Sequence, residues 1–280
     1  MHNLQRLHST YNSGQRNTEN VIRLPLPHEG YTNARNFFTP ANAESYDRVV
    51  SIATFGRDSA WKRQIIKIVS LDSHHTVLEL ACGTGILSSM LTTAAAPSNP
   101  LMEDGGSATV AGIDLTFEYL LAAKHKMMLM KRSRYQQSNQ KASETLSLIQ
   151  GTAEVLPYKS NYFDVVVSSY LAKYVDVQRV VDECWRVLKS SGTVVFHDFT
   201  YPRNSAMRSL WSTYFAVLRL TGRFSDSWRV VFNHLDEVIK GSNWVKQTEE
   251  ALYNRGFQNI SCKYCTFSTA AIILAEKNSS

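Results

Sequence analysis

The sequence predicts an α/β fold: a doubly wound, mostly parallel seven-stranded sheet closed by an antiparallel C-terminal hairpin. Three observations carry that expectation. The apolar run Val77-Leu78-Glu79-Leu80 ends in a glycine turn, Ala81-Cys82-Gly83-Thr84-Gly85, which reads as a buried parallel strand with a tight turn at its carboxyl end. Strand-length apolar segments then alternate with helical-period segments as far as residue 199, a pattern that joins parallel strands by right-handed crossovers. Finally, Gln258–Phe267 and Ala270–Glu276 read as two strands joined by a tight turn, unusual for a purely parallel sheet.

Taken in order, residues 1–38 are polar and Asn-rich with Pro25 and Pro27, and they read as a flexible tail. From Pro40 the period is helical, through Tyr46, Val49, Val50 and Ala53 and then Trp61, Ile65, Ile66, Ile68 and Val69. Thr76–Leu80 is the first strand, followed by a helix from Ile86. Thr109–Ile113 is the second, followed by a helix from Phe117 to about Met130. Leu146–Ile149 is a short third strand. Phe163–Ser169 is the fourth, with a helix over Val177–Leu188, and Thr193–Phe199 is the fifth. Two amphipathic stretches at 204–220 and 227–240 are rich in Trp, Phe and Leu, and a helix at 244–255 ends at Gly256. Ala94–Ser107 and Ser133–Glu144 read as surface loops.

Composition narrows the class. A hydrophobic share of 44% with 19% charged residues in 280 is that of a globular protein with an ample core. No apolar run reaches the roughly 20 residues of a bilayer span, and the N-terminus lacks the apolar core of a secretory signal. Its basic, acid-poor start resembles a transit peptide without that class's amphipathic period. Cytoplasmic, reduced thiols are the expectation for Cys82, Cys184, Cys262 and Cys265. Cys262 and Cys265 have CxxC spacing but sit three apart in a strand, so they point to opposite faces and cannot share a metal; no metal site is expected. The net charge of +6 is densest from Lys124 to Lys141. That stretch reads as a helix end and polar loop, since it lacks the aromatic interleaving that base stacking needs.

Several motifs occur together in order: Tyr46-Asp47-Arg48, Phe55-Gly56-Arg57 with Trp61-Lys62-Arg63, the glycine loop, Gly151-Thr152-Ala153-Glu154-Val155-Leu156-Pro157-Tyr158, Tyr162-Phe163-Asp164-Val165-Val166, and Arg186-Val187-Leu188-Lys189-Ser190-Ser191-Gly192. Over residues 44–277 the chain resembles the class I, Rossmann-like methyltransferases that use S-adenosylmethionine (SAM). Within them it most resembles the ubiquinone/menaquinone-biosynthesis C-methyltransferases. The resemblance implies one methyltransferase domain over 39–280 with a helical lid at 204–240. It also implies SAM as cofactor and a prenylated quinol or related aromatic as acceptor. Peripheral membrane contact and a homodimer are compatible with it.

The residues can be read for that chemistry. Gly83, Thr84 and Gly85 allow close backbone approach to the aminoacyl part of SAM, and Glu79 can orient that loop or the ligand's ammonium. Asp114, at the end of the second strand, offers two acceptor oxygens to the ribose hydroxyls, and Leu115 can pack on adenine. By resemblance Ala81, Thr84, Thr152, Ala153 and Ser169 match cofactor positions, with Thr152 standing where an Asp or Asn is usual. A dinucleotide-binding dehydrogenase is excluded by Ser88 in place of the third glycine and by the distance from the loop to Asp114.

Methylating a ring carbon requires a phenolic hydroxyl to be deprotonated, hence a general base. The candidates at the carboxyl edge of the sheet are His197, Asp198, Lys173 and Tyr174. His197 and Asp198 alternate on their strand, so at most one is expected to face the acceptor. Asp198 stands where the family has an acid, whereas Lys173-Tyr174 replaces its Arg-Asn pair. That departure leaves an N- or O-methyltransferase of another small metabolite as the alternative. A catalytically dead binding protein has no need of an intact glycine loop and Asp114. A nucleic-acid methyltransferase lacks its Asn-Pro-Pro-Tyr-like motif after the fourth strand.

Overall fold

The computed structural model describes residues 29–72, 74–94, 109–138 and 146–278. Seven strands form one sheet in the order β3-β2-β1-β4-β5-β7-β6. They are β1 (Thr76–Leu80), β2 (Thr109–Asp114), β3 (Leu146–Gln150), β4 (Phe163–Ser169), β5 (Leu188–Phe199), β6 (Gln258–Cys265) and β7 (Ala270–Glu276). The first five pair in parallel, and β7 inserts antiparallel between β5 and β6. The strand order reverses between β1 and β4. Open α/β sheets bind ligands at the carboxyl ends flanking such a point.

The described helices are α1 (Glu29–Phe37), α2 (Tyr46–Ala53), α3 (Arg57–Val69), α4 (Ile86–Ala94), α5 (Phe117–Ser138), α6 (Val177–Val187), α7 (Ser205–Gly222), α8 (Asp226–Gly241) and α9 (Trp244–Arg255). Side chains alternate across the sheet. Leu78, Val194 and Phe196 join α6 and α9 in one apolar core, while Val77 and Val195 join Trp61, Ile65, Leu87 and Leu91 in another. Cys262 packs against the first core and Cys265 is buried in the second, which is the opposite-face placement expected of their spacing.

The structure corrects four boundaries. Part of the expected tail is helix α1, which has a buried partner. Phe37 packs with Tyr174, Trp228 and Val231, and an added Cβ at Gly30 would meet the Tyr174 carbonyl oxygen at 2.6 Å. Buried Asn42 fastens this corner by donating to the carbonyls of Phe37 and Ser227 and accepting from the Tyr119 hydroxyl at 2.7 Å. Helix α5 runs on to Ser138, through the start of the second expected loop, and β5 begins at Leu188. Strand β6 stops at Cys265 because Thr266, Phe267 and Ser268 all have φ between 43° and 63°, a conformation that cannot continue a strand. Residues 1–28 of the expected tail, 95–107 of the first expected loop and 139–144 of the second lie outside the described residues.

Candidate functional site

Two cavities meet at the carboxyl edge of the sheet. The first is a groove of about 90 Å³ around the β1 and β2 ends. Its lining includes Ala81, Gly83, Ile113, Asp114, Leu115, Thr152, Ala153 and Ser169, with Tyr31, Ala34 and Phe38 from α1 and the residue after it. Asp114 Oδ2 accepts the Gly83 N–H and Oδ1 accepts the Thr116 N–H, both at 2.8 Å. Burial raises the Asp114 pKa, and these hydrogen bonds oppose the rise. Each oxygen keeps a further lone pair for a ligand.

Three residues expected to bind the cofactor stand behind this wall rather than in it. Glu79 is buried and accepts the Ser88 hydroxyl of α4. Burial pushes its carboxyl up to about 8, so its part is to hold the loop. Thr84 is buried, and its hydroxyl donates to Asp47 of α2. Gly85, at φ +75°, packs on α5, where an added Cβ would meet Ala123 Cβ at 3.0 Å. The glycine is required by helix contact as much as by any ligand.

The groove fits SAM chemically. A carboxylate with spare lone pairs faces it for a vicinal diol, Ile113, Leu115 and Ala153 give apolar faces for a base, and Thr152 offers a hydroxyl. Ligand pockets usually enclose about 300–1,000 Å³. The groove here is smaller, and Tyr31, Phe38 and Tyr46 are among the residues that bound it.

The second cavity, of about 570 Å³, lies against helices α7 and α8 and beside α2 and α3. Val49, Trp61, Phe199, Trp211, Phe215 and Trp228 are among its walls. Its lining is overwhelmingly apolar, and the charged members are Arg57 and Lys173. Phe38, Tyr46, Tyr170 and Tyr174 line both cavities and form the partition between them. Helix α7 is anchored locally. Asn204 caps α7 by accepting from the Ala206 and Met207 N–H groups, and the Tyr214 hydroxyl donates to the Ala53 carbonyl at 2.5 Å.

The four candidate catalytic residues separate. Lys173 and Tyr174 line the second cavity; His197 and Asp198 line neither cavity. Asp198 is fully buried behind Lys173 and pairs with its ammonium. Burial lowers the Lys173 pKa and raises that of Asp198, each opposed by its partner. The Lys173 Nζ lies 4.4 Å from the Tyr174 ring centroid. His197 is turned to the other side of β5, as strand alternation requires. Its ring sits 5.4 Å from that of Trp61, and its Nδ1 is 2.9 Å from Ser169 Oγ. Burial pushes the His197 pKa well below the usual histidine range, so it stays neutral. Its reach to the cofactor groove runs through Ser169.

Three residues outside the expected site, Tyr170 in the partition and Asp58 and Lys62 behind it, are joined by hydrogen bonds. Tyr170 donates its hydroxyl to Asp58 Oδ1 at 2.7 Å, and Lys62 donates to the same oxygen. Asp58 and Lys62 are both almost fully buried. An Asp and a Lys four apart share one helix face, and here that face also carries Trp61 and Ile65 of the core. A charge pair on a core-facing stripe was the available signal.

The profile of the ubiE/COQ5 methyltransferase family matches residues 32–277. The demethylmenaquinone methyltransferase of Oceanobacillus iheyensis is 29% identical over 236 residues, covering 84% of this chain and 91% of that protein. The demethylmenaquinone methyltransferase of Lactiplantibacillus plantarum is 27% identical, with 82% and 90% covered. Among solved structures, a SAM-dependent methyltransferase from Aquifex aeolicus superposes with a TM-score of 0.54 at 13% identity, over 85% of this chain and 98% of that one.

Proposed function

The chain belongs to the ubiE/COQ5 methyltransferase family and is a SAM-dependent methyltransferase; we propose that its acceptor is a hydroquinone-type aromatic, methylated at a ring carbon. The observation that carries this reading is the apolar 570 Å³ chamber sharing a wall of aromatic rings with the cofactor groove. It suits a flat ring with an apolar tail, and the curated relatives are named for demethylmenaquinone.

SAM, when bound, supplies a methyl group already activated by its sulfonium charge. The protein's residues bind and orient. Asp114 accepts from the ribose hydroxyls, Leu115 and Ala153 flank the adenine, Thr152 contributes its hydroxyl, and Ala81 and Gly83 admit the aminoacyl part. The buried Lys173 ammonium faces the acceptor oxygen and stabilises negative charge there, in a chamber where water is excluded. Lys173 keeps the positive charge of the arginine usual in this family, while Tyr174 replaces an amide with a ring.

A membrane-borne acceptor is supported by the cavity mouth. Phe55 and Leu210 line the chamber yet are 82% and 61% exposed. Ile52, on the last turn of α2, is 65% exposed. Arg57 lines the same chamber and is exposed, giving anionic headgroups a cation at that mouth.

The test is incubation with methyl-labelled SAM and a prenylated naphthohydroquinone in anionic vesicles, in parallel with soluble metabolite extracts, followed by mass spectrometry of the product. A ring-methylated quinol is expected, formed faster when the acceptor is in vesicles. A product methylated on nitrogen or oxygen overturns the carbon assignment, and equal rates without vesicles overturn the membrane assignment.

A further inference from the structure

We infer that Tyr170, backed by Asp58 and Lys62, is the group that takes the acceptor's hydroxyl proton. This rests on the hydroxyaromatic reading of the acceptor. Three observations converge on Tyr170. It stands in the partition and lines both cavities, which is where donor carbon and acceptor ring have to meet. Its hydroxyl donates to the Asp58 carboxylate, so its own oxygen retains a lone pair to accept a proton. Its backbone is held at φ +67°, an uncommon conformation for a bulky side chain. That conformation is pinned by the Tyr170 N–H donating to the His197 carbonyl at 2.8 Å and by stacking on Phe199 at 4.6 Å and 14°. Tyr46 and Tyr174 share the partition, but among the described residues the Tyr170 hydroxyl is the one of the three that donates to a carboxylate.

The proton balance is direct. The acceptor O–H bond breaks as a proton passes to Tyr170 Oη, while the Tyr170 proton passes to Asp58 Oδ1, leaving a neutral carboxylic acid and an acceptor phenolate. As the ring carbon bonds to the methyl carbon, the methyl–sulfur bond breaks and its electron pair stays on sulfur. The phenolate thus becomes a neutral ring ketone and the donor leaves as neutral S-adenosylhomocysteine. The ring hydrogen at that carbon then leaves to water, and the oxygen regains its proton through Tyr170. One proton is released per turnover.

The charged and titratable groups around the relay are Lys62 on α3, Lys173 after β4, His197 and Asp198 on β5, and Tyr46 on α2. Lys62 Nζ lies 4.7 Å and Lys173 Nζ 5.5 Å from the Tyr170 ring centroid. Two cations therefore flank the path along which negative charge moves. His197, held neutral by burial, does not compete for the proton.

The relay can be read without the methyl donor. 4-Nitrophenol bound to the wild-type protein should remain largely in its coloured phenolate form at a pH about one unit below the free probe's own midpoint. Tyr170→Phe, which keeps the stacked ring, should lower that bound phenolate fraction by about tenfold with probe affinity within about threefold. It should also lower kcat by about 10²-fold or more, with SAM affinity unchanged. Asp58→Asn should reproduce both losses. An unperturbed probe spectrum in the wild type, or one retained in Tyr170→Phe and lost only in Lys173→Met, overturns the relay. Probe ionisation in a protein that methylates no hydroquinone leaves the relay standing and overturns the acceptor instead. Circular dichroism and the melting temperature separate these outcomes from loss of fold.

Discussion

Thr84 in the glycine loop donates its hydroxyl to Asp47 of α2, and the second oxygen of Asp47 takes the ammonium of Lys126 from α5. One carboxylate thus joins the glycine loop to the helix that supplies Val49, Val50 and Ala53 to the second cavity. Asp47 is the middle residue of the Tyr46-Asp47-Arg48 motif. Lys126, which in the sequence belongs to a basic helix end, is drawn inward by this contact.

Asp114→Ala removes the carboxylate that holds the Gly83 and Thr116 N–H groups and faces the groove. Charge-assisted hydrogen bonds contribute about 1.5–3 kcal/mol each. SAM affinity should therefore fall by about 10- to 100-fold, measured by calorimetry. A loss below about threefold would remove Asp114 from the ribose contact.

Glu79 should make stability pH-dependent. Its carboxyl is raised from 4.5 in the free residue to about 8 in the fold, chiefly by burial. Its stabilising contribution is then complete below the unfolded value and is lost as pH rises through the folded value. Urea denaturation of the wild type should show stability falling by a few kcal/mol between about pH 5 and pH 8 from this group. Glu79→Gln, which copies the protonated form, should flatten that slope. An unchanged slope would show that Glu79 ionises normally in the fold.

Lys173→Met should cost stability and activity together, because it leaves the Asp198 carboxylate buried and unpaired, a loss of about 3–5 kcal/mol. Adding Asp198→Asn should return most of the stability while leaving methyl transfer down by about 10²-fold or more. Recovery of activity along with stability would reduce Lys173 to a structural role.

The strand ends that line the first groove were legible in the sequence because their signals are local. An apolar strand ending in glycines and an acid ending the next strand are contiguous patterns, and the sheet brings Gly83 and Asp114 within 2.8 Å. The acceptor side was legible only as a group of candidates. Strand alternation correctly separated His197 from Asp198 but could not say that both lie behind the cavity walls. Tyr170 and Asp58 are 112 residues apart, and no spacing rule links them. Helix α1 was hidden for a similar reason: its sequence is polar, and what orders it is distant packing of Phe37 on Trp228 and Tyr174.

The four-ring partition has a consequence for how this enzyme can diversify. The first groove is lined by the ends of β1 to β4 together with α1, whereas the second cavity is shaped mainly by α2, α3, α7 and α8. If the proposed roles of the two cavities hold, substitutions in α7 and α8 reshape what is methylated while the groove that holds the methyl source is inherited unaltered. Only the rings of the partition answer to both demands, and there a change of preference carries a catalytic penalty.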